Sequence, residues 1–293
     1  RFAIGEDSQE LLTQSGGGGG NSDECDALES GRFRGLYRLP QGLLPDLIWL
    51  VISLGCTMVV LVIVEGTKAR MVPFFARDYR FWRPSQTETV PSWVVWATIA
   101  LVYIPVILFL PCSRDAEVSE ASMVGSAEER SKENVARSVR FAMWLLVALL
   151  WTLSFTEVIK SIASELRPDF AYRCLGLDAQ ISEVNANEVF HSDEDCVARA
   201  QALGRSSFGL RDGRRSFPSG HSSISAVSSV FVSLYITFAS SIFSTENIHG
   251  LGRWRSLLTQ LSSLLPMFIA LGVVVSRLVD NRHHPADVTA GFV

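Results

Sequence analysis

Lys160 and Arg167, seven positions apart in KSIASELRP, are two long cationic side chains at the end of an apolar stretch. On a continuous helix they would lie within about 20° of each other around the axis and about 10 Å apart along it, so both could reach one anion. PSGH, from Pro218 to His221, stands at the mouth of another apolar run. A helix N-terminus there would offer free backbone N–H groups and the positive end of a dipole. Gly220 lets a ligand come close to the backbone, Ser219 adds a hydroxyl, and His221 can carry or release a proton near neutral pH. A third stretch, SRLVDNRHHPADV, holds Ser276, Arg277, His283, His284 and Asp287. Four positions after His283, Asp287 is spaced to orient the imidazole if a helical turn forms, and Pro285 leaves that turn's geometry open. Fixed cations, backbone N–H groups, histidines and a carboxylate are the equipment for holding an anion and moving a proton beside it.

The elements that must carry these groups are apolar. Leu47 to Val64 contains no charged side chain over 18 residues, which at 1.5 Å per residue covers about 27 Å of a roughly 30 Å hydrocarbon core. Further runs extend from Trp93 to Leu110, with Pro105 inside; from Phe141 to Ile159; from Ser222 to Phe243; and from Leu257 to Val275, with Pro266 inside. Asp287 onward reads as the start of a sixth, truncated at Val293. The expected fold is therefore an all-α, polytopic membrane bundle of about six helices spanning residues 43 to 293. Residues 1 to 42 are polar, contain Gly16 to Gly20, and show no sustained period, which predicts a flexible tail. Pro168 is expected to end the third helix, opening a long polar loop to about Ser216. By parity, the end of span three, the start of span four and the end of span five emerge on one side of the bilayer. Lys and Arg occur on both sides of span one, so the positive-inside rule gives no orientation.

Composition agrees with a membrane protein: 48% of the 293 residues are hydrophobic and 19% charged. A net charge of -4 without a sustained basic face excludes nucleic acid as an expected partner. The five cysteines include no CxxC or His/Cys cluster with zinc spacing, so no metal site is expected. A Cys174–Cys196 disulfide is open, conditional on an oxidising compartment. Cys56 and Cys112 read as packing residues. The sequence has no N-x-[ST] sequon.

Each stretch has a bland reading by itself: snorkelling anchors, a turn with a helix cap, a structural His–Asp pair. Their conjunction, in this order and on these helix boundaries, is not an accident of composition. K-x6-RP, PSGH and SR-x5-H-x3-D resemble the three signature motifs of the type 2 phosphatidic acid phosphatase (PAP2) superfamily, which includes haloperoxidases. The layout of spans is similar to its lipid phosphate phosphatase branch, as is FFARDYRFWRPSQTETVPSW after span one.

The resemblance implies a hydrolase for phosphatidate, lysophosphatidate, sphingoid phosphates or ceramide phosphate that needs neither Mg nor any other cofactor. It implies that His283 is the nucleophile, that Asp287 orients it, and that His221 is the general acid and base. Lys160, Arg167, Ser219, Gly220 and Arg277 would hold phosphate, on the extracytoplasmic or lumenal face of a plasma membrane or endomembrane. His284 is the adjacent rival nucleophile, and His191 and His249 read as solvated loop residues. Glu157 is left between pairing with Lys160 and an interfacial place. A phosphotransferase of the same superfamily, a non-catalytic membrane scaffold and a homo-oligomer stay open.

Overall fold

The computed structural model describes residues 43–110, 127–239 and 251–293, apart from Ala69, Ser85 and Ala186, and leaves the side chains of 127–131 and several of 251–259 undescribed. The glycine-rich tail, Cys112, the first part of the charged segment after span two, Phe243 and His249 lie outside the described residues.

Nearly every described element is helical. In chain order they are α1 (Leu43–Gly66), the two-residue strand β1 (Phe74–Phe75), α2 (Ser92–Phe109), α3 (Ala127–Ala163), α4 (Phe170–Leu175), the strand β2 (Val189–Phe190), α5 (Asp193–Ala202), α6 (Leu210–Gly213), α7 (Gly220–Ala239), α8 (Leu251–Val279) and α9 (Pro285–Phe292). Among the described residues five helices are long and apolar enough to cross a membrane: α1, α2, the Lys132–Ala163 part of α3, α7, and the Gln260–Val279 part of α8. The protein is an integral membrane protein of the all-α class. The expected sixth span is represented by α9, eight residues long.

Two helices depart from their expected courses. Pro105 has no N–H to give, and its ring crowds the carbonyl of Leu101. The chain answers with a π-helical turn over Ile99–Tyr103, which widens α2 just before the proline. The third span begins well ahead of Phe141, because AEERSKENVARSVR continues the same helix, giving α3 a length of 37 residues.

α7 is the central element, packed against α8, α9 and α3. Its buried face is unusually small-sided, with Ser222, Ser223, Ser225, Ser228 and Ser229. Small side chains let membrane helices approach closely, and hydroxyls satisfied by preceding carbonyls cost little there. Ser223 Oγ donates to Ser219 O at 2.8 Å and Ser228 Oγ to Ile224 O at 2.8 Å. α1 packs on α3 through a polar seam in which Ser154 Oγ donates to Thr57 Oγ1 at 3.0 Å.

The loops after α1 and α3 fold together. β1 pairs antiparallel with β2, Phe74 opposite Phe190 and Phe75 opposite Val189. Phe74 packs edge-on against Phe81 and Phe170 and stacks on Phe190, forming an apolar core with Leu166, Leu175 and Val184. A disulfide joins Cys174 on α4 to Cys196 on α5, closing the pairing that composition left open. Cys56 is exposed on α1 instead of packed. The guanidinium of Arg214, fully buried, lies over Phe170 at 4.9 Å, donates to Asp193 at 2.8 Å and to Val72 O at 3.1 Å, and so ties both loops together.

Candidate active site

This loop layer sits over the ends of the helices that carry the three stretches. α3 stops at Ala163, four residues earlier than Pro168 predicts. Ser164 takes φ 47, its N–H bonds to Lys160 O at 3.1 Å, and its Oγ accepts from Arg70 N at 3.0 Å. Lys160 and Arg167 therefore do not share one helix face. Lys160 comes from the last turn of α3 and Arg167 from the loop beyond, where its backbone N–H holds Gly213 O at 2.8 Å. Both still reach the same cavity.

That cavity has a volume of about 340 Å³ and is lined by Lys160, Arg167, Gly220, His221, Arg277 and His283, six of the eight residues singled out. Ser219 and Asp287 stand behind its wall. The N–H of Ser219 donates to Asp287 O at 3.0 Å, and its buried Oγ has no partner among the described residues. A Cβ added at Gly220 would come within 3.1 Å of Lys160 Nζ, so the missing side chain is what lets the ammonium lie against the start of α7.

The histidines divide cleanly. His283 lines the cavity, whereas His284 turns away, its Nε2 on Leu166 O at 3.1 Å and its ring edge-on to Phe81. His191 is exposed. Asp287 is fully buried and does more than face His283. It is the third residue of α9, accepting from His284 N at 2.8 Å as half of a capping box, and from Ser216 Oγ at 2.5 Å. With Oδ2 so engaged, His283 Nδ1 stands 3.6 Å away, a close approach and not a hydrogen bond. Nδ1 faces the carboxylate, which leaves Nε2 as the nitrogen open to a ligand. Burial holds the His283 imidazole below the ordinary histidine range, with Asp287 opposing that shift. Across the cavity, His221 Nε2 lies 3.3 Å from Ser92 Oγ and 3.5 Å from an Arg277 Nη1.

Every cation here already has a carboxylate partner, and these carboxylates are what the sequence reading missed or left unsettled. Lys160 pairs with Glu157 at 2.7 Å, and the other oxygen of Glu157 is bonded to Arg215. Arg167 pairs with Asp212 at 2.9 Å, which also meets Arg173 at 3.1 Å. Arg277, almost fully buried, donates to Asp280 at 3.0 Å and to Val90 O at 2.6 Å, with Glu88 at 3.9 Å. Asp280 in turn accepts from the N–H and hydroxyl of Thr89 at 2.9 and 2.6 Å, pinning the first loop to the end of α8. Glu157 lies near a motif and was visible as a candidate. Glu88 and Asp212 have no local signal, since their partners come from remote parts of the chain, whereas Asp280 lies three residues after Arg277 in the same stretch, a spacing that could have marked the pair. The guanidinium of Arg282 also lines the cavity. Among the described residues, no group of three or more His, Cys, Asp or Glu is arranged to hold a metal ion.

A family model described as the PAP2 superfamily matches residues 141–293, which contain all eight singled-out positions. Among curated proteins, a PA-phosphatase related-family protein of Dictyostelium discoideum is 31% identical over 153 residues, 52% of this chain and 43% of that relative. Phospholipid phosphatase 1 of Rattus norvegicus is 23% identical over 85% of this chain and 81% of its own length. Lipid phosphate phosphatase 1 of Saccharomyces cerevisiae is 29% identical over 64% of this chain and 61% of its own. No solved structure matches the chain significantly. The matched segment, more than half of the chain, is the one whose residues converge on the cavity, and the chain belongs to the PAP2 superfamily.

Proposed function

We propose that the protein is a metal-independent lipid phosphate phosphatase that works through a phosphohistidine. The carrying observation is the convergence of Lys160, Arg167, Arg277, the Gly220 helix start and two histidines on one cavity at the end of the membrane helices. The names of the relatives, phospholipid phosphatase and lipid phosphate phosphatase, support the same chemistry.

Nε2 of His283 attacks phosphorus, forming an N–P bond as the bond from phosphorus to the lipid oxygen breaks. His221 gives its proton to the departing alkoxide. Water then attacks the phosphohistidine, His221 takes a proton from it, and inorganic phosphate leaves with His283 restored. Charge on the phosphoryl oxygens in the transition state is met by Lys160, Arg167 and Arg277 and by the backbone N–H groups that open α7. The guanidinium of Arg277 donates toward Nε2 of His221 at 3.5 Å. A bound phosphate draws that N–H to itself and leaves Nε2 free to hold the transferable proton.

The site lies at a membrane–water boundary, which suits substrates whose phosphate is at the interface and whose tails stay in lipid: phosphatidate, lysophosphatidate, and sphingoid or ceramide phosphates. The Cys174–Cys196 disulfide beside the site supports an extracytoplasmic or lumenal face, where disulfides persist. The test is phosphate release from phosphatidate in mixed micelles with excess EDTA. Wild type should release phosphate and His283→Ala should lose at least about 10³-fold of that rate. A His283→Ala variant as active as wild type would remove the phosphohistidine, and a folded wild type that needs added metal would remove metal independence.

A further inference from the structure

A second cavity, about 310 Å³ in volume, lies between α2, α7 and α8. It adjoins the phosphate cavity, because Val95 lines both. Its walls are apolar where they come from Val94, Ile99, Ile269 and Val273, and the hydroxyls that reach it are already engaged. Ser225 Oγ donates to Ser222 O at 3.1 Å, Ser228 Oγ to Ile224 O at 2.8 Å, Thr98 Oγ1 to Val94 O at 2.9 Å, and Tyr103 and Ser229 share a hydrogen bond at 3.0 Å. No charged side chain lines this cavity and its hydroxyls bond chiefly to the protein itself, so a hydrocarbon would gain contact on every side.

Two local features make the space. The π-helical turn of α2 forms one wall through Ile99 and Tyr103. Opposite, Gly272 of α8 leaves room: a Cβ there would meet nothing within 4 Å. At the rim, Val90 lines this cavity while its carbonyl accepts from Arg277 Nη2 at 2.6 Å, so one residue touches both the apolar space and a phosphate-facing cation.

We propose that this cavity receives the hydrocarbon chain of the substrate, running from the phosphate past Val95 down between α2, α7 and α8. The proposal rests on the reading of the first cavity as a lipid phosphate site and names where the rest of that lipid goes. Chain-length selectivity then belongs to the π turn and Gly272, and to none of the motif residues.

A lipid phosphate carrying a photoactivatable diazirine in its chain, irradiated with the full chain in lipid nanodiscs, tests the position directly. Labelled peptides should map to 94–103 and 269–273, and saturating inorganic phosphate should suppress that labelling. Gly272→Leu, for which the structure has room, occupies the space of about two to three methylenes. It should lower the ratio of kcat/KM for dioleoyl over dibutyryl phosphatidate by about tenfold or more, at about fourfold per methylene displaced. Thr98→Leu, on the facing wall, should shift the same ratio and guards against a folding defect in the first variant. Labelling confined to other helices, labelling indifferent to inorganic phosphate, which would mark a resident membrane lipid, or an unchanged ratio in both variants would each overturn the proposal. Phosphate-sensitive labelling in a protein that releases no phosphate would uphold the tail site and overturn hydrolysis instead.

Discussion

At the scale of single residues the cavity is a set of cations held ready by carboxylates that a phosphate must displace. Glu157 shows this most clearly, since it is largely buried and bonded to both Lys160 and Arg215. Its negative charge stands against any dianion in the cavity, so it weakens phosphate binding and eases product release. In Glu157→Gln, inorganic phosphate should therefore inhibit about tenfold more tightly, the equivalent of about 1.5 kcal/mol for one charged hydrogen bond. An unchanged inhibition constant would reduce Glu157 to a structural ion pair. Asp287 carries a second prediction. Burial is the larger influence on His283 and pushes its pKa down, while Asp287 pushes it up. Asp287→Asn removes the upward influence, so the acid limb of the kcat/KM profile should move to lower pH while the plateau falls by about 10²-fold or more through lost orientation. A limb that moves to higher pH would show that another group sets it. The spacing sets Asp287 four residues after His283, and in the structure the carboxylate stands 3.6 Å from Nδ1. Its second task, capping α9 through the His284 N–H, follows from the turn geometry that Pro285 left open.

At the scale of elements, what could be read from the sequence was what hydrophobicity alone decides. Five apolar runs appear as five helices, because a membrane-spanning backbone has no other way to satisfy its hydrogen bonds. Their ends were less legible. The charged residues that open α3 are good helix formers and continue it, whereas Ser164 closes it by taking a left-handed turn that nothing in its chemistry announces. The close meeting of α7 and α9 was hidden as well, and it depends on one glycine. A Cβ at Gly291 would fall 2.6 Å from Ser219 O and 3.1 Å from Ser222 Cβ, and backbone cannot move aside as a flexible side chain can. Gly291→Ala should force α9 off the start of α7 and cost about 1–3 kcal/mol. The expected result is a lower thermal midpoint in detergent together with loss of activity, since the same displacement moves Ser219 and Asp287. A variant as stable and active as wild type would mean that α9 does not need this close approach.

At the scale of the whole molecule, chain parity alone required that the loops after α1, α3 and α8 share one side. That they would fold into a single layer was not legible. Phe74 meets Phe190, and Arg214 meets Val72, across more than a hundred residues, and no local pattern encodes such pairs. The layer also bears on the orientation that the Lys and Arg distribution could not supply. Its disulfide is buried within the aromatic core, and because disulfides persist where thiols are oxidised, this supports the extracytoplasmic or lumenal face proposed above. Orientation can be tested without reference to activity, because residues 1–293 contain no N-x-[ST] sequon to confuse the result. Asn185 and Asn187 are both exposed in this layer, and Asn187→Thr creates a sequon at Asn185. Expressed in a eukaryotic membrane, the variant should gain mass that an N-glycosidase removes, since glycan transfer happens only on the lumenal side. An unshifted band from a folded variant would put the layer in the cytosol. The cavity would then draw lipid phosphates from the cytosolic leaflet, and its disulfide would have to survive in a reducing compartment.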